Sequence, residues 1–82
     1  MIDLYILDVP ENAGIVTLAH ADASLSTSMV GPYYRIHTEE SSLEFDRKAT
    51  GCRHAVWYSA IAGLAGGTVV VLDKHMMRVE TE

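Results

Sequence analysis

Apolar and polar positions alternate in short stretches along the chain, and each stretch carries a structural expectation. Ile2 to Val9 (IDLYILDV) holds Ile2, Tyr5, Ile6, Leu7 and Val9 in loose alternation, the pattern of a strand buried over much of both faces. Pro10-Glu11-Asn12-Ala13-Gly14 interrupts it with turn chemistry. GIVTLAH (Gly14 to His20) then reads as a second strand, antiparallel to the first across a hairpin-length link. Residues 21–32 (ADASLSTSMVGP) are small and polar and read as a loop, with at most one irregular strand turn, closed by Gly31-Pro32. Tyr33 to Thr38 (YYRIHT) has strong β character.

A helix signal follows. Ser41 and Glu44 have the Ser-x-x-Glu spacing of a capping box, in which hydroxyl and carboxylate each satisfy a free backbone N–H at a helix start. Glu39, Glu40, Glu44 and Asp46 lie where a helix dipole favours negative charge. The helix is expected from about Ser42 to about Ala62, stopped by Gly63 and Gly66-Gly67. Gly51 inside it costs about 1 kcal/mol against Ala, so the regular part could begin nearer Lys48. Phe45, Ala49, Cys52, Val56 and Ala60 recur at three or four residues as a core stripe, with Trp57, Ile61 and Leu64 beside it. From Ala55 to Ala65 the segment is apolar nearly all round, which makes Trp57 and Ile61 a candidate apolar interface. Thr68 to Leu72 reads as a central strand, Asp73-Lys74 as a turn and His75 to Glu80 as a last strand. The order β-β-β-α-β-β implies an α+β class: one two-layer domain over residues 1–82, a mostly antiparallel four- to five-stranded sheet with one long helix on one face.

Composition narrows the classes further. Of 82 residues, 49% are hydrophobic and 21% charged, too apolar for a disordered tail. The single cysteine excludes a disulfide scaffold and fits a reducing compartment, so a cytoplasmic protein is expected. No apolar run has the length of a membrane span, and Asp3 stands where a signal peptide carries positive charge. A domain this small has a thin stability margin, and homodimerisation is an expectation on that ground.

Charge is unevenly placed. Residues 1–46 hold eight acids and one base, a balance of −7, whereas residues 47–82 hold three acids and five bases, a balance of +2, which together give the net −5. Direct nucleic-acid binding is disfavoured, because phosphate contacts need a basic footprint.

Candidate chemistry is sparse. Cys52 and His54 would point about 200° apart on a helix, so they do not form a thiolate–base pair. His20, His37, His54 and His75 have no metal-ligand spacing, and His75-Met76-Met77 places its methionines on opposite strand faces. The glycines at 63, 66 and 67 follow a helix, the wrong end for cradling a phosphate. Ser24, Ser26, Thr27 and Ser28 form a hydroxyl cluster with no activating partner in view. No cofactor and no metal is expected. Of the adjacent Tyr33 and Tyr34, strand alternation sends one inward and one outward, and an outward tyrosine beside Arg35 would be a binding anchor.

The expected function is therefore a small acidic, non-enzymatic protein that binds a larger partner with a basic, nucleic-acid-binding surface. Glu39, Glu40, Glu44 and Asp46, with Tyr34 and Arg35, are the expected contact residues. In being short, acidic, motif-free and α+β, the chain is similar in type to phage- or mobile-element-encoded inhibitors such as anti-CRISPR proteins and DNA mimics. The competing expectation is a small homodimeric enzyme or ligand-binding subunit, with a pocket at the dimer interface lined by His20 and His37.

Overall fold

The computed structural model describes residues 1–82 and has an α+β fold of two antiparallel sheets and short helices. Strand β1 (Ile2–Leu7) leads through a 3₁₀ turn (Pro10–Asn12) into helix α1 (Ala13–Ala21). A hairpin of β2 (Ser26–Val30) and β3 (Tyr33–Thr38) follows, and then β4 (Ser42–Asp46). Two short helices, α2 (Arg47–Thr50) and α3 (His54–Ser59), lead into a second 3₁₀ turn (Ala60–Gly63). The chain ends with β5 (Leu64–Ala65), β6 (Gly67–Leu72) and β7 (Met76–Thr81). The strands form a four-stranded sheet in the order β2-β3-β1-β5 and a three-stranded sheet in the order β4-β7-β6.

One core joins these layers. Ile2, Leu4 and Ile6 of β1 and Ile36 of β3 point inward from the larger sheet. Leu43 and Phe45 of β4, with Met77 and Val79 of β7, point inward from the smaller one. Ile15, Val16 and Ala19 of α1 and Trp57 of α3 close the cluster. Trp57 is fully buried, and its indole Nε1 donates to the carbonyl of Asp73 at 2.7 Å, tying α3 to the turn between β6 and β7. It belongs to the chain's own core, so it is unavailable as the apolar interface residue the sequence suggested. Ile61 is half-buried against the same core.

Three sequence expectations are corrected. Residues 13–21 are helical, not a strand. The β-branched run Ile15-Val16-Thr17 gives the segment its β look, but the buried Ile15, Val16 and Ala19 share one helical face, and their burial outweighs the weak local preference. Residues 26–30 of the expected loop form a strand, because the Gly31-Pro32 turn folds them back on β3. The single long helix from about Ser42 does not form. Its first part is strand β4, where Leu43 and Phe45 are buried and Ser42, Glu44 and Asp46 face outward, a period of two. The cap lies later, where the Asp46 carboxylate accepts from Lys48 N, and Gly51 ends α2 in the left-handed conformation at φ 70°.

Candidate functional site

The most chemically organised surface is the outer face of the four-stranded sheet. Alternation turns Asp3, Tyr5 and Leu7 of β1 outward, since Ile2, Leu4 and Ile6 face the core. The antiparallel register sets Asp3 opposite His37, Tyr5 opposite Arg35 and Leu7 opposite Tyr33. On the other flank, Ser26, Ser28 and Val30 oppose His37, Arg35 and Tyr33. Three strands thus build one face with two zones, a charged band at one end and an apolar row at the other.

In the charged band, Asp3 Oδ1 accepts from Arg35 Nε at 2.8 Å and from His37 Nδ1 at 2.7 Å. His37 Nε2 donates to Glu39 Oε1 at 2.8 Å. Glu39 and Glu40 sit in the turn after β3. That turn is held by Thr38, whose buried hydroxyl accepts from Glu40 N at 3.0 Å and donates to Ser24 O at 3.1 Å. Burial alone would raise the Asp3 pKa, but the hydrogen bonds from His37 and Arg35 outweigh it and hold the carboxyl below its ordinary range. The His37 pKa is raised, chiefly by its bond to Asp3 and then by Glu39. Both imidazole nitrogens are engaged by carboxylates, so when protonated His37 donates from each, links β3 to β1 and offers no free nitrogen to a substrate proton or a metal.

This network ties stability to pH. His37 has a raised folded-state pKa, so its contribution is complete below the ordinary value of 6.5 and disappears as pH rises through the higher folded value. Asp3, whose pKa is lowered, contributes above the ordinary value of 3.8 and is lost as pH falls through its lower folded value. Asp22 and Asp73 are lowered as well and share that acid limb. The melting temperature is therefore expected to peak between the two ordinary values and decline on the alkaline side. His37→Gln should flatten the alkaline decline in a melting-temperature series, and an unchanged slope would refute the assignment.

The apolar row consists of Leu7, Tyr33 and Val30, neighbours across β1, β3 and β2, each more than 40% exposed. The row forms part of the wall of an open groove of about 780 Å³, lined also by Tyr5, Val9, Val56, Ala60, Glu11 and Asn12. Glu11 is the only charged residue lining it. Asp8, next to Leu7, is exposed.

The structure distributes the expected contact residues. Glu39 is bonded to His37, and Glu40 is exposed beside it. Glu44 lies on the outer face of the other sheet, where Arg78 donates to it at 2.7 Å and also to Glu80 at 3.0 Å. Asp46 caps α2. The four acids are therefore not one free patch. Arg35 is on the outer face, ion-paired to Asp3. Tyr34 turns the other way and packs against the core, so the outward tyrosine is Tyr33. His20 is exposed on α1, which packs against the inner side, and it does not meet His37 within the chain. Cys52 is buried, its backbone N–H bonded to the Thr50 hydroxyl at 3.1 Å.

Nothing in the local sequence marks Asp3, Leu7 or Val30 as contact residues, and alternation alone leaves open which of Tyr33 and Tyr34 faces outward. The alternation Tyr33-Arg35-His37 was a usable signal for one face of β3. The partners that β1 and β2 supply depend on a register no local pattern contains. No group of three or more His, Cys, Asp and Glu side chains is arranged to hold a metal ion, and no helix is long and apolar enough to cross a membrane. No protein-family model, curated protein or solved structure matches the chain.

Proposed function

We propose that this is a non-enzymatic binding protein that applies the outer face of its four-stranded sheet to a basic, nucleic-acid-binding surface of a larger protein. The observation that carries the reading is the exposed row Leu7-Tyr33-Val30 with acids around it. Contiguous exposed apolar side chains on a small domain mark interaction sites. An apolar centre with a polar rim is the anatomy of a protein interface, with tyrosine and arginine favoured as anchors.

The rim supplies the sign of the charge. Asp8 and Glu11 flank the apolar end and Glu40 the other, whereas the cations on this face, Arg35 and His37, are already paired with Asp3 and Glu39. Acids so placed would steer association with a basic surface and exclude nucleic acid from it. The protein would then act in the cytoplasm as an inhibitor of the anti-CRISPR or DNA-mimic type, by occlusion.

The test is competition. A partner captured from the native host should lose nucleic-acid binding when this protein is added. The double variant Tyr33→Ser/Val30→Ser should weaken capture at least tenfold, and Glu39→Gln/Glu40→Gln should flatten its salt dependence. A captured partner that keeps its nucleic acid, or that binds both variants as it binds the parent chain, would refute the reading.

A further inference from the structure

Two sheets present four edges, and three of them are protected against pairing. Strand β5 is two residues long. Strand β4 carries Glu44 and Asp46 pointing outward. Strand β6 is interrupted by an irregularity between Val69 and Val71. Shortness, charge and bulging are the ordinary means by which sheet edges avoid other chains. Strand β2 has none of them. Its sequence Ser26-Thr27-Ser28-Met29-Val30 contains no charge and no proline, pairs in unbroken register with β3, and is exposed at every position except the half-buried Thr27.

We infer that β2 is the seam of a homodimer, in which it pairs antiparallel with β2 of a second copy and joins two four-stranded sheets into one of eight strands. The strand is complementary to itself. Val30 and Tyr33 close the hairpin over Gly31-Pro32, and a closing pair of a two-residue turn directs its backbone groups at each other. Alternation then directs Ser28 and Ser26 toward β3 and leaves the N–H and C=O of Thr27 and Met29 facing the open edge. With the two-fold axis at Ser28, Thr27 of each copy meets Met29 of the other, and each such pair exchanges two hydrogen bonds. Ser26 meets Val30, and Ser28 meets its own copy as a non-hydrogen-bonded pair. No charged side chain opposes another across the seam, which matters for a chain of net charge −5.

A second copy fits this edge better than an unrelated strand because one sequence satisfies both sides. Met29 and Val30, 51% and 47% exposed, gain cover from it. The size of the contact sets its strength. The chain exposes 4743 Å², and at about a tenth of that surface per copy the dimer would bury about 950 Å² in total, below the usual range for stable complexes. The dimer is therefore expected to dissociate on dilution.

The experiment combines sedimentation with a register-specific cross-link on the full chain. Sedimentation from about 10 μM to about 1 mM should show a reversible monomer–dimer equilibrium, the span over which weak association is visible. Ser28→Cys should give a disulfide-linked dimer on oxidation, since a non-hydrogen-bonded antiparallel pair brings its Cα atoms to about 4.5 Å, within disulfide reach. Ser26→Cys, equally exposed but opposite Val30, should not cross-link, and Cys52 is buried. Met29→Pro removes an edge-facing N–H that β3 does not use, so it should keep the fold, checked by circular dichroism, and raise the dimer dissociation constant at least tenfold. A chain that stays monomeric at about 1 mM overturns the inference, whether or not a foreign strand binds the edge. So does a dimer that Ser28→Cys fails to link and that folded Met29→Pro leaves intact. Neither outcome bears on the outer-face reading of function, which is read by competition with nucleic acid.

Discussion

Trp57→Ala is expected to remove about 3–5 kcal/mol of stability, the cost of emptying a fully buried aromatic site. Small domains hold about 5–15 kcal/mol in all, with chains of this length toward the low end, so the variant should be largely unfolded at physiological temperature. The melting temperature should fall by more than about 15 °C. The effect is large because Trp57 does two things. Its fully buried ring is the largest side chain of the core cluster to which both sheets and α1 contribute, and its Nε1 holds the Asp73 carbonyl at 2.7 Å. Asp73 in turn shapes the turn into β7, its Oδ1 accepting from His75 N at 2.7 Å and Met76 N at 2.8 Å. Trp57→Phe separates the two roles. It keeps most of the ring contact, leaves the carbonyl to water and should cost about 1–2 kcal/mol. Urea unfolding followed by circular dichroism suits both variants, because Trp57 is the only tryptophan and its fluorescence is lost with it. A loss below about 1 kcal/mol for Trp57→Ala would show that the ring does not support the core as described.

Gly14→Ala should destabilise the protein, against the ordinary direction for this substitution in a helix. Replacing a helical glycine with alanine normally gains up to about 1 kcal/mol, because glycine loses more backbone freedom on folding. Here a Cβ on Gly14 would overlap the carbonyl oxygen of Thr50, a backbone atom that cannot rotate away. Thr50 is itself fixed. It is buried, and its hydroxyl donates to Arg47 O at 2.6 Å and accepts from Cys52 N at 3.1 Å. The variant must therefore push α1 away from α2 and lift Ile15 and Val16 from the core. Overpacking of this kind costs about 1–3 kcal/mol before any helix gain is counted. Ala13→Gly, one residue earlier at an exposed position of α1, should cost at most about 1 kcal/mol and serves as the comparison. If Gly14→Ala raises the urea midpoint, the close approach of α1 to α2 is wrong.

These two residues show where sequence reading stops. Alternating, β-branched and aromatic residues placed β1, β3, β6 and β7 within a residue or two at each end, but β6, whose unbroken apolar run reads as a central strand, lies at the edge of its sheet with no residue fully buried. The α+β class followed from that pattern. Gly14 read as the start of a strand because its role is a contact with a carbonyl 36 positions away, which no local window contains. The Ser41–Glu44 spacing matched a capping box, yet Leu43 and Phe45 gained more by alternating into the core than Ser41 and Glu44 gained by capping. The site follows the same division. Arg35 on an outer face and one outward tyrosine were legible from alternation, although which tyrosine depended on the phase that Ile36 sets by being buried. The bond from His37 to Asp3 joins positions 34 apart, and pairing partners at that distance are a property of register.

The placement of β1 bears on the order in which the molecule can assemble. Ile2–Leu7 precede every other element, yet they occupy an interior place in their sheet, between β3 and the two-residue β5 at Leu64–Ala65. During synthesis the strand can find its first neighbour once residue 38 is available, but its second flank stays open until residue 65 has been made. The growing chain thus carries a half-paired apolar strand until then, and the pairing that covers its second flank joins segments about 60 residues apart. Closures of that span are slow relative to helix formation, which makes the late glycine-rich segment, not the early strand, the point at which the four-stranded sheet is completed.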